Sequence, residues 1–195
     1  MENTRDYIID EAFKLFLTRS YEAVSISDVS AAAGLTKGAL YHHFKNKEDL
    51  YKSVIDKYLS LPENTLDISS ISLLDYLNKN LELAEKVIER LFGTTSGYEA
   101  ITFMALFIDA FRHYPGYSSL RKKYFEDEVG KIKKVLENSQ KSGEIKKDID
   151  CEIIAATFFS INLGIAGDLV ANNSTTESLR KMKAHTYELY KLIKT

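Results

Sequence analysis

From Arg5 onward the apolar residues fall at Ile9, Ala12, Phe13, Phe16 and Leu17. That i, i+3, i+4, i+7, i+8 rhythm places them on one buried helical face. It predicts a first helix ending near Arg19-Ser20. In Ser25-Ile26-Ser27-Asp28 the serine can accept from the Asp28 amide while the aspartate reaches back, a capping-box start. The short helix it opens turns Ile26 and Val29 inward, is kept thin by Ala31-Ala32-Ala33, and meets Gly34 where positive φ is needed. Thr36 is placed to cap a second short helix with Leu40 and Phe44 as its buried pair. Asn46-Lys47-Glu48-Asp49 then caps a longer helix carrying Leu50, Val54, Ile55 and Tyr58.

The stretch Leu59 to Ser70, with Pro62 and the polar run Glu63-Asn64-Thr65, reads as a linker. Beyond it helices are expected at roughly 71–92, 97–114, 118–141, 149–171 and 175–193. Ser96-Gly97-Tyr98-Glu99 and Ser174-Thr175-Thr176-Glu177 are further capping-box patterns, and Pro115-Gly116, Ser142-Gly143 and Asn172-Asn173 supply stops. The result is an all-α chain of about nine helices in two domains, 1–60 and 61–195, with a helix-turn-helix at about 25–44. Residues 97–114 are apolar nearly all round and are expected as a buried central helix, with one stripe at Ile101, Met104 or Ala105, Ile108 and Phe111 and another at Phe103, Phe107 and Tyr114.

Two prolines in 195 residues agree with helices over a turn-rich β fold. The net charge of −2 means the whole molecule does not attract nucleic acid, so any such binding must come from a local patch. One cysteine, Cys151, excludes an internal disulfide framework. No apolar run is read as long enough to cross a bilayer, and the N-terminus lacks the apolar core of a signal peptide. A cytoplasmic protein with no membrane partner is expected.

Residues 25–44 form helix, tight turn, helix, the geometry that lets a second helix project into a major groove. A hairpin used only for packing would show the same small residues and turn glycine. The side chains shift the balance. From Thr36 to Lys47 the exposed candidates are Thr36, Lys37, Tyr41, His42, His43, Lys45 and Lys47, with no acid among them. These are phosphate-binding groups on one short element. Metal ligation by His42-His43 is disfavoured, because adjacent helical residues point about 100° apart. No metal and no cofactor are expected.

The segment Ser25 to Leu50, with its core Lys37-Gly38-Ala39-Leu40-Tyr41-His42-His43-Phe44-Lys45-Asn46-Lys47, strongly resembles the DNA-binding signature of the TetR family of repressors. The resemblance covers about the first 55 residues; the remainder is similar only in length and helical content. It implies DNA contacts from Thr36, Lys37, Gly38, Tyr41, His42, His43 and Lys47. Lys37 would reach a base edge or phosphate. Gly38, lacking Cβ, would admit the duplex closely, although relief of crowding would equally call for glycine. Tyr41 would touch a thymine methyl or a phosphate, unless it packs on the first helix. Thr36, His42 and His43 would meet phosphates, and Lys47 would clamp the DNA backbone from the start of the next helix.

In the C-terminal part, the many aromatic residues are either core or the wall of an apolar pocket. The pocket candidates are Phe103, Phe107, Phe111, His113, Tyr114, Tyr124, Phe158 and Asn162. The family resemblance implies a small-molecule effector there, and scarce acids in these helices favour a neutral, aromatic or acyl-like one. The helices at 149–171 and 175–193 need a partner surface, with Gly164 and Gly167 permitting close approach, unless they simply cover their own domain. The resemblance implies a homodimer built on them, hence two recognition helices on an inverted-repeat operator in double-stranded DNA, with repression as the family default. The competing classes are a helical adaptor binding only proteins, and an enzyme. For the enzyme the chain shows no catalytic grouping, and Cys151, at a helix start that could lower its pKa, has no base nearby in sequence.

Overall fold

The computed structural model describes residues 4–60, 66–93 and 99–195. Two sequence signals, the polar run of the 59–70 linker and the Ser96 capping pattern, lie largely outside these residues. Nine α-helices are present among the described residues: α1 (Thr4–Thr18), α2 (Ile26–Ala32), α3 (Lys37–Tyr41), α4 (Lys47–Tyr58), α5 (Leu73–Gly93), α6 (Ala100–His113), α7 (Tyr117–Ser142), α8 (Cys151–Asn172) and α9 (Thr175–Ile193). They divide into two compact units, Met1–Leu61 with Gly97–Ser118, and Pro62–Ser96 with Ser119–Thr195. α6, expected with the second domain, thus packs with the first.

In the first unit the anticipated stripe of α1 is buried, with Ile9, Ala12, Phe13, Phe16 and Leu17 all inside. It meets Leu50, Tyr51, Val54 and Ile55 of α4. The Phe13 and Tyr58 rings stack 3° from parallel with centroids 3.5 Å apart. The Tyr58 hydroxyl donates to Asp10 Oδ1 at 2.6 Å. α6 closes this core through Ala100, Phe103, Leu106 and Ala110. The Tyr51 hydroxyl donates to the Leu106 carbonyl at 3.3 Å, and that of Tyr114 to Asp56 Oδ1 at 3.0 Å. Ile101, Ile108 and Phe111 are instead 49%, 46% and 43% exposed. The helix is not buried all round; an evenly apolar sequence carries no periodicity to say which side turns in.

The α2–α3 turn follows its local chemistry closely. Ser25 accepts from the Asp28 amide, and Asp28 Oδ2 accepts from the Ser25 amide at 2.7 Å. At the other end Gly34 takes φ +66°, its N–H donates to Ala31 O, and the Leu35 N–H reaches back to Ser30 O at 2.8 Å. This 6→1, 5→2 pair is a Schellman closure. Val29 is buried as expected, whereas Ile26 is half-buried.

The second unit has its core in Leu73, Tyr76, Leu77, Ile132, Val135, Leu136, Ile145, Ala155, Phe158 and Ile193. Glu144, in the turn after α7, gathers four donors: the amides of Leu73 and Leu74 that open α5, the Ser139 hydroxyl and the Tyr190 hydroxyl. An antiparallel bridge joins Ile145 to Lys194. Asp168 receives Ser178 Oγ at 2.5 Å and Lys181 Nζ at 2.7 Å across the left-handed Asn173 turn, tying α8 to α9. α8 departs from one expectation: it is long and apolar enough to cross a membrane by length and composition. Ile153 and Leu163 on it are 63% and 47% exposed.

The positive φ of Gly34 yields a stability prediction. A Cβ there meets nothing within 4 Å, so the cost of Gly34→Ala is purely conformational, about 1–2 kcal/mol for an L residue in this region. Urea denaturation of the variant is expected to show that loss; unchanged stability would mean the turn is not held in this conformation.

Candidate nucleic-acid interface

α3 begins where the Thr36 hydroxyl accepts from the Ala39 amide at 3.2 Å. Its inner side is Leu40, fully buried, followed by Phe44, also buried, under the Arg5 guanidinium at 4.9 Å from the ring centroid. With those two anchored, Thr36, Lys37, Gly38, Tyr41, His42 and His43 all lie exposed. Tyr41 is 53% exposed, so it does not pack on α1. His42 is the C-cap residue of α3, and the His43 ring tilts beside Phe44 at 6.5 Å. Lys45 is exposed, and its amide donates to Asp49 Oδ2 while Asn46 caps α4 through the Asp49 amide.

Gly38 has room around it. A Cβ at that position would meet only the Thr36 hydroxyl oxygen, at 3.9 Å, an ordinary contact. No crowding inside the unit requires glycine. The residue is exposed.

Lys47 differs from its neighbours. It is half-buried, and its ammonium lies over the Tyr21 ring at 4.1 Å from the centroid. Burial pulls that ammonium below its ordinary pKa, against the opposing pull of Glu22. The Tyr21 ring also stacks on His113 at the end of α6, 4.3 Å between centroids and 13° from parallel. His113 Nε2 lies 2.8 Å from Glu22 Oε1, and the Tyr21 amide donates to Asp109 Oδ2 at 3.1 Å. Sequence reasoning missed Tyr21, Glu22 and Asp109: they sit in a turn and on a distant helix, and no local pattern links them to Lys47.

The eight pocket candidates are divided between the two units. Phe158 and Asn162 line a cavity of about 10 Å³ in the second unit with Tyr76, Asn80, Ile132 and Thr186, room for one water molecule. Tyr124, in the same unit, lies under the Arg121 guanidinium at 5.5 Å, and burial together with Glu128 pushes its hydroxyl up to about 12. Phe103 and Tyr114 are buried in the first unit, and His113 is engaged by Tyr21 and Glu22. Phe107 meets Phe111 edge-on there at 5.1 Å. Cys151 is buried, and that burial pushes its thiol up, the reverse of the lowering a helix start could give.

Such an anchored two-helix turn with a cationic outer side, carried in an all-helical chain, defines the helix-turn-helix class of regulatory proteins. The profile of the family described as bacterial regulatory proteins, tetR family, matches residues 8–54. The transposon Tn10 TetC protein of Escherichia coli is 38% identical over 96 residues, 41% of this chain and 49% of the relative, so this match spans about half that protein's length. The HTH-type transcriptional repressor KstR2 of Rhodococcus jostii (strain RHA1) is 28% identical over 165 residues, covering 76% of this chain and 71% of the relative. Among solved structures, NalD, the secondary repressor of the MexAB-OprM multidrug efflux pump in Pseudomonas aeruginosa, superposes with a TM-score of 0.70 at 16% identity, over 98% of this chain and 95% of that one. Residues 8–54 are thus similar to the DNA-binding segment of the tetR family, and the fold of the chain is similar to that of its solved members.

The Gly38 geometry predicts that Gly38→Ala leaves the folded protein as stable as before or more stable by up to about 1 kcal/mol, the helix-propensity difference. A clear drop in melting temperature would show that the glycine serves the fold.

Proposed function

We propose that the protein is a sequence-specific DNA-binding transcription regulator, a repressor released by a small molecule. The observation that carries this reading is the outer side of α3. Lys37, Tyr41 and His42 stand exposed on a helix whose inner residues are buried, beside a glycine that no internal contact requires. Cations and hydroxyls so placed suit phosphates and base edges in a major groove. The residues proposed to touch DNA are Thr36, Lys37, Gly38, Tyr41, His42, His43 and, on release, Lys47. Residues 1–60 would supply the DNA-binding domain and 61–195 the effector and dimer functions. KstR2 of Rhodococcus jostii, itself a transcriptional repressor and similar over 76% of this chain, supports a regulatory role.

A homodimer through α8 and α9 would cover the apolar surface left around Ile153 and Leu163. It would set two copies of α3 on an inverted repeat with half-sites about 34 Å apart. The effector is proposed to enter the second unit beside Phe158 and Asn162, where the cavity must widen to accept anything larger than water. It acts by binding one dimer geometry better than the other. The protein is proposed to work in the cytoplasm, without a catalytic step. A helical adaptor that binds only proteins would leave the exposed Lys37 and Gly38 of α3 unexplained.

Duplexes selected from a random pool test the reading directly. Lys37→Ala and Tyr41→Phe are expected to weaken binding to the selected duplex while leaving the protein folded, the lysine change by about tenfold if it loses a base contact of about 1–3 kcal/mol. Unchanged gel-shift affinity for both would remove them from the interface, and Gly38→Ala should weaken binding without loss of stability. With Lys37 and Lys45 of two protomers on phosphates, log affinity should fall against log salt with a slope of about −3.5 or steeper. A flat dependence would show that these lysines miss the backbone.

A further inference from the structure

Among the cations between Thr36 and Lys47, Lys37 and Lys45 are exposed, whereas the charge of Lys47 is turned inward onto Tyr21. A single cluster holds it there. The Tyr21 ring offers its π face to the ammonium. Glu22 pulls electrostatically on the same lysine, and its Oε1 lies 2.8 Å from His113 Nε2. His113, in turn, stacks on Tyr21. α6 grips the 21–22 turn at two places, the His113 stack and the Asp109 carboxylate that accepts the Tyr21 amide. Whatever displaces the C-terminal turn of α6 from residues 21–22 breaks both together.

We propose that Tyr21, Glu22 and His113 form a latch that keeps the Lys47 ammonium off DNA, and that the position of α6 sets whether the latch is closed. This rests on the DNA-binding reading above. A phosphate contact by Lys47 requires its ammonium to leave the ring and the Glu22 field, so DNA and the latch compete for one charge. Lys47 is then a conditional contact, unlike Lys37 and Lys45. Tyr21 and His113 are positioning residues that act through it. The chain leaves the C-terminus of α6 through residues 114–116 directly into α7, which continues into the second unit. An effector that moves α7 therefore has a covalent route to the latch.

The test is a set of double-mutant cycles on a duplex selected by the wild-type protein, measured as dissociation constants and salt slopes. Glu22→Gln, on a side chain 66% exposed, and His113→Ala are expected to tighten binding about two- to fivefold per protomer, the range of an exposed cation–π contact. Tyr21→Leu should do the same, while Tyr21→Phe, which keeps the ring, should bind as wild type. Removing an acid near DNA would tighten binding by long-range attraction alone, so the deciding measurement is the Lys47→Ala background. There the latch variants should have no further effect, and the salt slope should become shallower by about 0.9 for each phosphate that Lys47 no longer neutralises. Equal tightening with and without Lys47, or weaker binding by Glu22→Gln and His113→Ala, overturns the latch while leaving the regulator reading intact. A wild-type protein that selects no duplex overturns both.

Discussion

α3 has five residues, far too few to persist as a helix on its own strength. What holds it is the burial of Leu40 and Phe44 and its packing on α2, with the Gly34 closure setting how it leaves that helix. Every outward group on the helix depends on those two apolar side chains. Lys37 and Tyr41 face solvent because Leu40, between them, cannot. A recognition surface of this kind is specified from its back side, by packing, and its chemistry is then free to differ without disturbing the fold.

The same unit shows how a small domain can place a charge where it does no immediate work. The turn after α1 gathers aromatic side chains, with Phe16, Tyr21 and Tyr51 meeting within 4.8–6.1 Å of one another. Such a surface accepts an ammonium readily. Lys47 takes that position while its backbone stays at the exposed start of α4. The opposing environments of stem and head make this lysine more responsive to its surroundings than a fully solvated one.

Local chemistry was legible where short-range rules decide the outcome. The Ser25–Asp28 box, the Gly34 and Gly143 turns, the Thr36 and Ser174 caps and the span of α9 all follow from residues close in sequence. Legibility failed where the answer lay across the fold. The inward side of α6, Ala100, Phe103, Leu106 and Ala110, mixes one residue from a predicted stripe with others outside both, because an apolar helix of uniform composition names no preferred side. The proposed pocket residues fall in both units, since periodicity reports that a face is buried and never against what. Likewise α8, almost without amphipathic bias, reads equally as core, interface or membrane span by composition.

In the second unit residues 193–195 clasp the turn after α7. Lys146 N–H donates to Ile193 O at 2.9 Å and Thr195 N–H to Glu144 O at 3.2 Å, on either side of the Ile145–Lys194 bridge. The turn so clasped is the one whose carboxylate caps α5. Loosening of residues 194–195 would therefore be felt at Leu73, more than a hundred residues away in sequence.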